Sequence, residues 1–118
     1  TDIVFSNGSR GAFTLSANLE TLTLTGDLDA SGAGNAGENR IEGNGGANSL
    51  AGNGGDDVVL GMAGDDRLSG GEGDDDLVGG EGLDTAVFGA AWADAVLEQL
   101  ADGVYAITGP EGADTVTE

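Results

Sequence analysis

The chain has no cysteine and no histidine among its 118 residues. That excludes disulfide staples, thiolate or imidazole metal ligands, and Ser-His-Asp or Cys-His catalysis. Lys and Arg together number three, so little is present to neutralise phosphate, which excludes an electrostatic binder of nucleic acid or anionic membrane. Aromatic residues make up only 4%, too few for a large aromatic core. No apolar run is long enough to span a bilayer. The glycines are not followed by a Lys-Ser/Thr pair, so they do not form a phosphate-binding loop.

What is there is acid and glycine. Asp and Glu number 22, giving a formal net charge of −19, and Gly numbers 24, far above ordinary usage. For a cation, the chain offers only oxygen: carboxylates, amides and backbone carbonyls. A paired-carboxylate hydrolase needs two acids set apart in a cleft, whereas the acids here recur with no unique pair. The chain opens on Thr1 and reads as a piece of a longer, exported protein.

Gly-rich polar composition alone suggests disorder, but self-comparison replaces that reading. Six consecutive nine-residue units begin at Gly34, Gly43, Gly52, Gly61, Gly70 and Gly79. Position 4 of each is again glycine: Gly37, Gly46, Gly55, Gly64, Gly73 and Gly82. Position 6 reads Asn39, Asn48, Asp57, Asp66, Asp75 and Asp84; position 8 reads Ile41, Leu50, Val59, Leu68, Leu77 and Ala86. Glycine permits a left-handed turn or close approach to an ion, and the position-6 oxygen is a hard ligand. One aliphatic between mixed neighbours predicts a three-residue strand with its central side chain inward. Each unit is therefore a six-residue turn and a short strand. Two units make a circuit, and circuits stack as a parallel β-solenoid.

These units resemble the RTX (repeats-in-toxin) nonapeptide G-G-x-G-x-D-x-U-x. Gly70-Gly71-Glu72-Gly73-Asp74-Asp75-Asp76-Leu77-Val78 is the nearest copy. The resemblance implies an all-β fold, a right-handed parallel β-roll with calcium in the turns. It also implies that each ion lies between turns two units apart. One strong site would use Asn53, Gly55 and Asp57 with Gly70, Glu72 and Asp75; a second, on the opposite side, Met62, Gly64 and Asp66 with Gly79, Glu81 and Asp84. Two weaker sites would use Asn35, Gly37 and Asn39 with Gly52, Gly54 and Asp57, and Asn44, Gly46 and Asn48 with Gly61, Ala63 and Asp66, because asparagine brings no charge. The expectation is two to four Ca²⁺ ions. Asp56, Asp65, Asp74 and Asp76 read as field-enhancing or solubilising, and Arg40 and Arg67 as softening repulsion.

Residues 1–33 are expected to extend the roll with irregular strands. These are Ile3–Phe5 and Phe13–Leu15 around a Ser6–Gly11 turn, then Leu19, Leu22, Leu24 and Leu28 as aliphatic rungs. A turn role is expected for Asp27 and Asp29, and an outward, solvent-facing one for the threonines of 21–25. Residues 88–118 are expected to cap the repeats of 34–87, with Phe88, Trp92 and Tyr105 as the apolar centre. Strands are expected at Thr85–Phe88, Val104–Thr108 and Asp114–Thr117, with a turn at Gly109–Gly112. Residues 90–100 are open: composition favours helix, the resemblance a strand near Ala95–Gln99.

The aliphatic ladder is too thin, and the acidic turns too repulsive, for the roll to hold without a cation, so folding and binding are expected to be one reaction. The reading is a non-enzymatic, calcium-folded module of a secreted bacterial protein. By the resemblance it leaves through a type I secretion apparatus and adjoins other domains. The alternatives are a structural or adhesive module, as in an S-layer or surface adhesin, and an auxiliary module of a secreted hydrolase or epimerase. No membrane span and no nucleic-acid partner are expected, and the location is extracellular or at the cell surface.

Overall fold

In each repeat a strand forms where an aliphatic residue sits between two residues indifferent to exposure, after a turn rich in glycine. The computed structural model describes residues 3–7, 11–87, 96–101, 104–109 and 112–117. Six short strands follow the repeat: β5 (Arg40–Glu42), β6 (Ser49–Gly54), β7 (Val58–Leu60), β8 (Arg67–Glu72), β9 (Asp76–Val78) and β10 (Thr85–Val87). Ahead of them lie β1 (Ile3–Asn7), β2 (Ala12–Thr14), β3 (Thr21–Thr25) and β4 (Ser31–Ala33); after them come β11 (Val96–Ala101), β12 (Val104–Gly109) and β13 (Gly112–Thr117). No helix occurs among the described residues. The fold is an all-β parallel roll, as the repeat predicts.

From β1 to β10, odd and even strands separate into two sheets. One runs β1-β3-β5-β7-β9-β13-β12-β11, the other β10-β8-β6-β4-β2. From β1 to β10 every pairing is parallel, and in the repeats each inward residue lies over its equivalent eighteen residues on: Ile41 over Val59 over Leu77, and Leu50 over Leu68 over Ala86. Leu22, Ile41, Val59 and Leu77 have no exposed surface, and Leu50 and Leu68 have 1%. The core is thus a column of single aliphatic side chains between two sheets, thickened by Leu15, Leu24 and Ala30.

Upstream of the repeats the rungs keep a nine-residue rhythm with one longer step. Val4 pairs with Leu22, and Phe13 with Gly32. Gly32 in turn pairs with Leu50, and Leu22 with Ile41. One extra residue between Leu22 and Gly32 hides this phase. Gly32 takes an inward position with no side chain. A Cβ there would stand 2.9 Å from Leu22 Cδ2 and 3.2 Å from Leu50 Cδ2, so the neighbouring leucines already fill the space. Leu28, expected among the rungs, is instead a turn residue with 41% exposure.

At the other end β13 takes the rung after β9, with Val116 opposite Leu77. Strands β12 and β11 continue antiparallel from it. The strand reading of residues 96–101 therefore holds over the helical one: edge pairing outweighs a helix-favouring composition. Ser6 and Asn7, expected to open a turn, belong to β1; Phe88, Trp92, the side chain of Tyr105, residues 8–10 of the expected Ser6–Gly11 turn and part of the Gly109–Gly112 turn lie outside the described residues.

Candidate metal centre

Because strands pair at a stagger of two units, turns of the same parity stack on each other. Turns 34–39, 52–57 and 70–75 line one edge of the roll; turns 43–48, 61–66 and 79–84 line the other. The turn pairs expected for the two stronger and the two weaker sites are ones that the fold does bring together.

Position 6 turns inward in every repeat up to Asp75. Asn39, Asn48, Asp57, Asp66 and Asp75 are all buried, the three aspartates at 1–2% exposure. Each position-6 carboxylate reaches the turn two units earlier, where its Oδ1 accepts a backbone N–H. The Asn39 N–H donates to Asp57 at 2.7 Å, Asn48 to Asp66 at 2.8 Å, Asp57 to Asp75 at 2.8 Å and Asp66 to Asp84 at 2.9 Å. The position-1 glycines make room for this side chain. A Cβ on Gly52, Gly61, Gly70 or Gly79 would collide with the position-6 carboxylate of its own unit. Glycine is needed there for space and not for a left-handed φ.

The second oxygen differs. Oδ2 of Asp57 and of Asp66 is buried and accepts no hydrogen bond. A buried carboxylate oxygen without a donor is costly. Burial accordingly raises the Asp57 carboxyl from 3.8 to about 7, against the lowering effect of the Asn39 N–H and with the charges of Asp75, Asp56 and Glu38 adding to it. Burial raises Asp66 to about 6 against the Asn48 N–H, with Asp84 and Asp65 adding.

The other predicted ligands are backbone carbonyls. Position-2 carbonyls of Asn35 and Met62 accept the N–H of Gly54 and Glu81, at 3.3 and 2.8 Å, which leaves each a second lone pair. Asn53 pairs with Gly71, Gly54 with Glu72, and Ala63 with Glu81. The α-carbons of Gly73 and Gly82 stand over the carbonyls of Gly55 and Gly64, those of Gly55 and Gly64 over Gly37 and Gly46. Among the described residues, no three carboxylates converge on one point. An ion here would therefore be held by one or two carboxylates plus carbonyls. Orphaned buried carboxylate oxygens in an all-oxygen donor set fit a hard cation of Ca²⁺ type, which takes six to eight such ligands.

The turns fall into two classes that the sequence reading did not separate. In the last four repeats, positions 2 and 4 both have positive φ: Asn53 +86° and Gly55 +90°, Met62 +79° and Gly64 +101°, Gly71 +105° and Gly73 +125°, Gly80 +96° and Gly82 +119°. In the first two repeats neither position does. Asparagines organise those turns instead. The Asn35 and Asn44 N–H groups donate to Oδ1 of Asn39 and Asn48, at 2.7 and 2.8 Å. Asn39 Nδ2 donates to the Leu19 and Glu38 carbonyls, and Asn48 Nδ2 to the Ala30 carbonyl and Asn44 Oδ1. Asn35 Nδ2 donates to Ser16 and Leu19, and Asn44 Nδ2 to Thr25 and Leu28.

A further set of contacts lies at position 5. Asp56 Oδ1 accepts the Asp74 N–H and Asp65 Oδ1 the Leu83 N–H, both at 2.9 Å; Asp29 does the same for Ala47. Asp56 and Asp65 thus staple successive turns, and Asp29 has the expected turn role. Arg40 pairs with Glu42 at 3.1 Å on an exposed face, where such a pair adds little stability.

A family model of the RTX calcium-binding nonapeptide repeat (4 copies) matches residues 33–67 and again 52–86. No curated protein and no solved structure matches the chain.

Proposed function

Since the chain carries RTX calcium-binding nonapeptide repeats over residues 33–86, we propose that it is a calcium-folded module without catalytic function. It belongs to a secreted bacterial protein, stays open where calcium is scarce and condenses outside the cell. The observation that carries this reading is the pair of buried, unpartnered Oδ2 atoms of Asp57 and Asp66. They destabilise the roll when bare and become ligands when a cation arrives.

Two sites are proposed on Asp–Asp turn pairs: Asn53, Gly55 and Asp57 with Gly70, Glu72 and Asp75, and Met62, Gly64 and Asp66 with Gly79, Glu81 and Asp84. The two sites that include Asn39 or Asn48 are proposed as weaker, because those amide oxygens already accept the Asn35 and Asn44 N–H groups. Two to four ions are held, with a Kd of about 10⁻⁴–10⁻³ M typical of extracellular modules. Export by a type I apparatus follows from the same reading, since an unfolded acidic chain suits passage and calcium then traps it outside.

The test is a calcium titration followed by far-UV circular dichroism, with magnesium as control. Strand signal should grow with calcium and much less with magnesium, which gives up its water reluctantly. Asp75→Ala should weaken this response far more than Asp74→Ala, because Asp75 is 1% exposed and its Oδ1 ties the Asp57 turn, whereas Asp74 sits on the surface. A spectrum unchanged between chelator and millimolar calcium overturns the function. Equal effects of the two substitutions overturn the ligand assignment.

A further inference from the structure

The amide at position 6 and the carboxylate at position 6 solve the same burial problem differently. A carboxylate offers only acceptors, so a second buried oxygen needs an outside donor or a cation. An amide brings its own two protons. Oδ1 of Asn39 and of Asn48 accepts an N–H within its own turn, and Nδ2 donates to oxygens at 2.9–3.4 Å. In these two turns the buried position-6 side chain is fully hydrogen-bonded without an ion.

Three other observations change at the same place along the chain. The paired left-handed residues at positions 2 and 4 begin at Asn53 and Gly55 and are absent from the two asparagine turns. Within the repeats, the acidic charge of the turns rises there too. Turns 34–39 and 43–48 hold one acid, Glu38, while turns 52–57, 61–66, 70–75 and 79–84 each hold at least two. The apolar core is also lopsided. Leu15, Leu22, Leu24, Ala30, Ile41 and Leu50 are buried up to residue 50, against Val59, Leu68 and Leu77 beyond it; the partly buried Phe13 and Leu19 add to the earlier part and Ala86 to the later.

We infer that the part of the roll closed by Asn35, Asn39, Asn44 and Asn48 is a metal-independent scaffold, which stays folded without calcium and seeds the stacking of the aspartate turns. Its growing edge is already equipped for that step. The N–H groups of Asn39 and Asn48 are the donors that receive Asp57 and Asp66, at 2.7 and 2.8 Å. The carbonyls of the same two residues accept the Val58 and Arg67 N–H groups, each at 2.8 Å. An ion in a mixed site is an addition to this scaffold and not a condition of it. Parallel stacking is slow to nucleate because each rung closes a long loop. A preformed edge removes that first step, so calcium has only to add rungs. The inference rests on the calcium reading of residues 52–87.

Hydrogen exchange of the whole chain, read by mass spectrometry in chelator and in calcium, tests it. In chelator, amides in 15–50 should exchange at least about tenfold more slowly than those in 55–87, and calcium should bring protection into 55–87. If both segments are open in chelator and gain protection together, the scaffold does not exist and the calcium reading stands. If 55–87 is protected in chelator and calcium adds nothing, the calcium reading itself fails and takes the inference with it. The double substitution Asn39→Asp with Asn48→Asp keeps shape while removing the amide protons. It should reduce protection of 15–50 in chelator at least about tenfold, with calcium restoring it. Protection that survives the double substitution overturns the inference.

Discussion

A single atom decides what a turn requires. At position 6, nitrogen in place of oxygen turns an orphaned acceptor into a donor, and the structure shows both outcomes along one edge: Asn39 above Asp57. Position 2 shows a similar dependence through the backbone. Gly71 and Gly80 meet the left-handed φ of this position at no steric cost, Asn53 tolerates it, but Met62 holds φ +79° with a branched-off Cβ. Met62 is 49% exposed, so its side chain contributes little burial in return. Met62→Gly should relieve about 1 kcal/mol of strain and lose part of that to the freer unfolded chain, leaving a gain of about 0.5 kcal/mol. In a thermal melt of the calcium-loaded protein this is a rise in Tm of roughly 2–4 °C. A lower Tm would mean that the Met62 side chain makes a stabilising contact stronger than the strain.

At the scale of the element, the strands were legible in the sequence and the turns only in part. One aliphatic every nine residues fixes both period and facing, and strands β5, β7 and β9 have the predicted bounds. The rhythm was lost upstream because a one-residue insertion shifts phase and because Gly32 occupies an inward position with no apolar residue to mark it. The Asp56 and Asp65 staples were invisible because a carboxylate accepting a backbone N–H has no partner residue type to look for. Asparagine at position 6 was in plain view, but it reads as a weak ligand until the donors of its amide are traced.

The aspartate turns also set a pH dependence. In the metal-free roll Asp57 and Asp66 titrate near 7 and 6, raised from 3.8 by burial. Folded chains therefore bind more protons than unfolded ones between about pH 4 and pH 7, so stability falls as pH rises through that window. The penalty is absent below about pH 4 and complete above about pH 7. In chelator, the far-UV strand signal should therefore decline from pH 4.5 to pH 8. In calcium the trend should reverse, because the ion competes with protons for the same oxygens and binding releases them. A metal-free strand signal that climbs with pH would show that these carboxylates are not the buried acids described above.

For the whole molecule, a net charge of −19 raises a competing account of calcium. A divalent cation screens as well as binds, and a chain with 22 acids and three bases repels itself when compact. The two effects separate by burial. Glu38, Asp56, Asp65, Glu72, Asp74, Asp76 and Glu81 are exposed, and 1 M NaCl, with a Debye length of about 3 Å, suppresses their mutual repulsion. Asp57 and Asp66 are 1–2% exposed, where dissolved salt does little and only a ligated ion reaches the carboxylate. Sodium chloride added in chelator should therefore restore only part of the strand signal that calcium produces, at any concentration up to 1 M. It should also weaken calcium binding, by screening the field that draws the ion in. If 1 M NaCl alone reproduced the full calcium spectrum, relief of surface repulsion would be sufficient to fold the roll, and the buried carboxylates would have no need of a ligand ion.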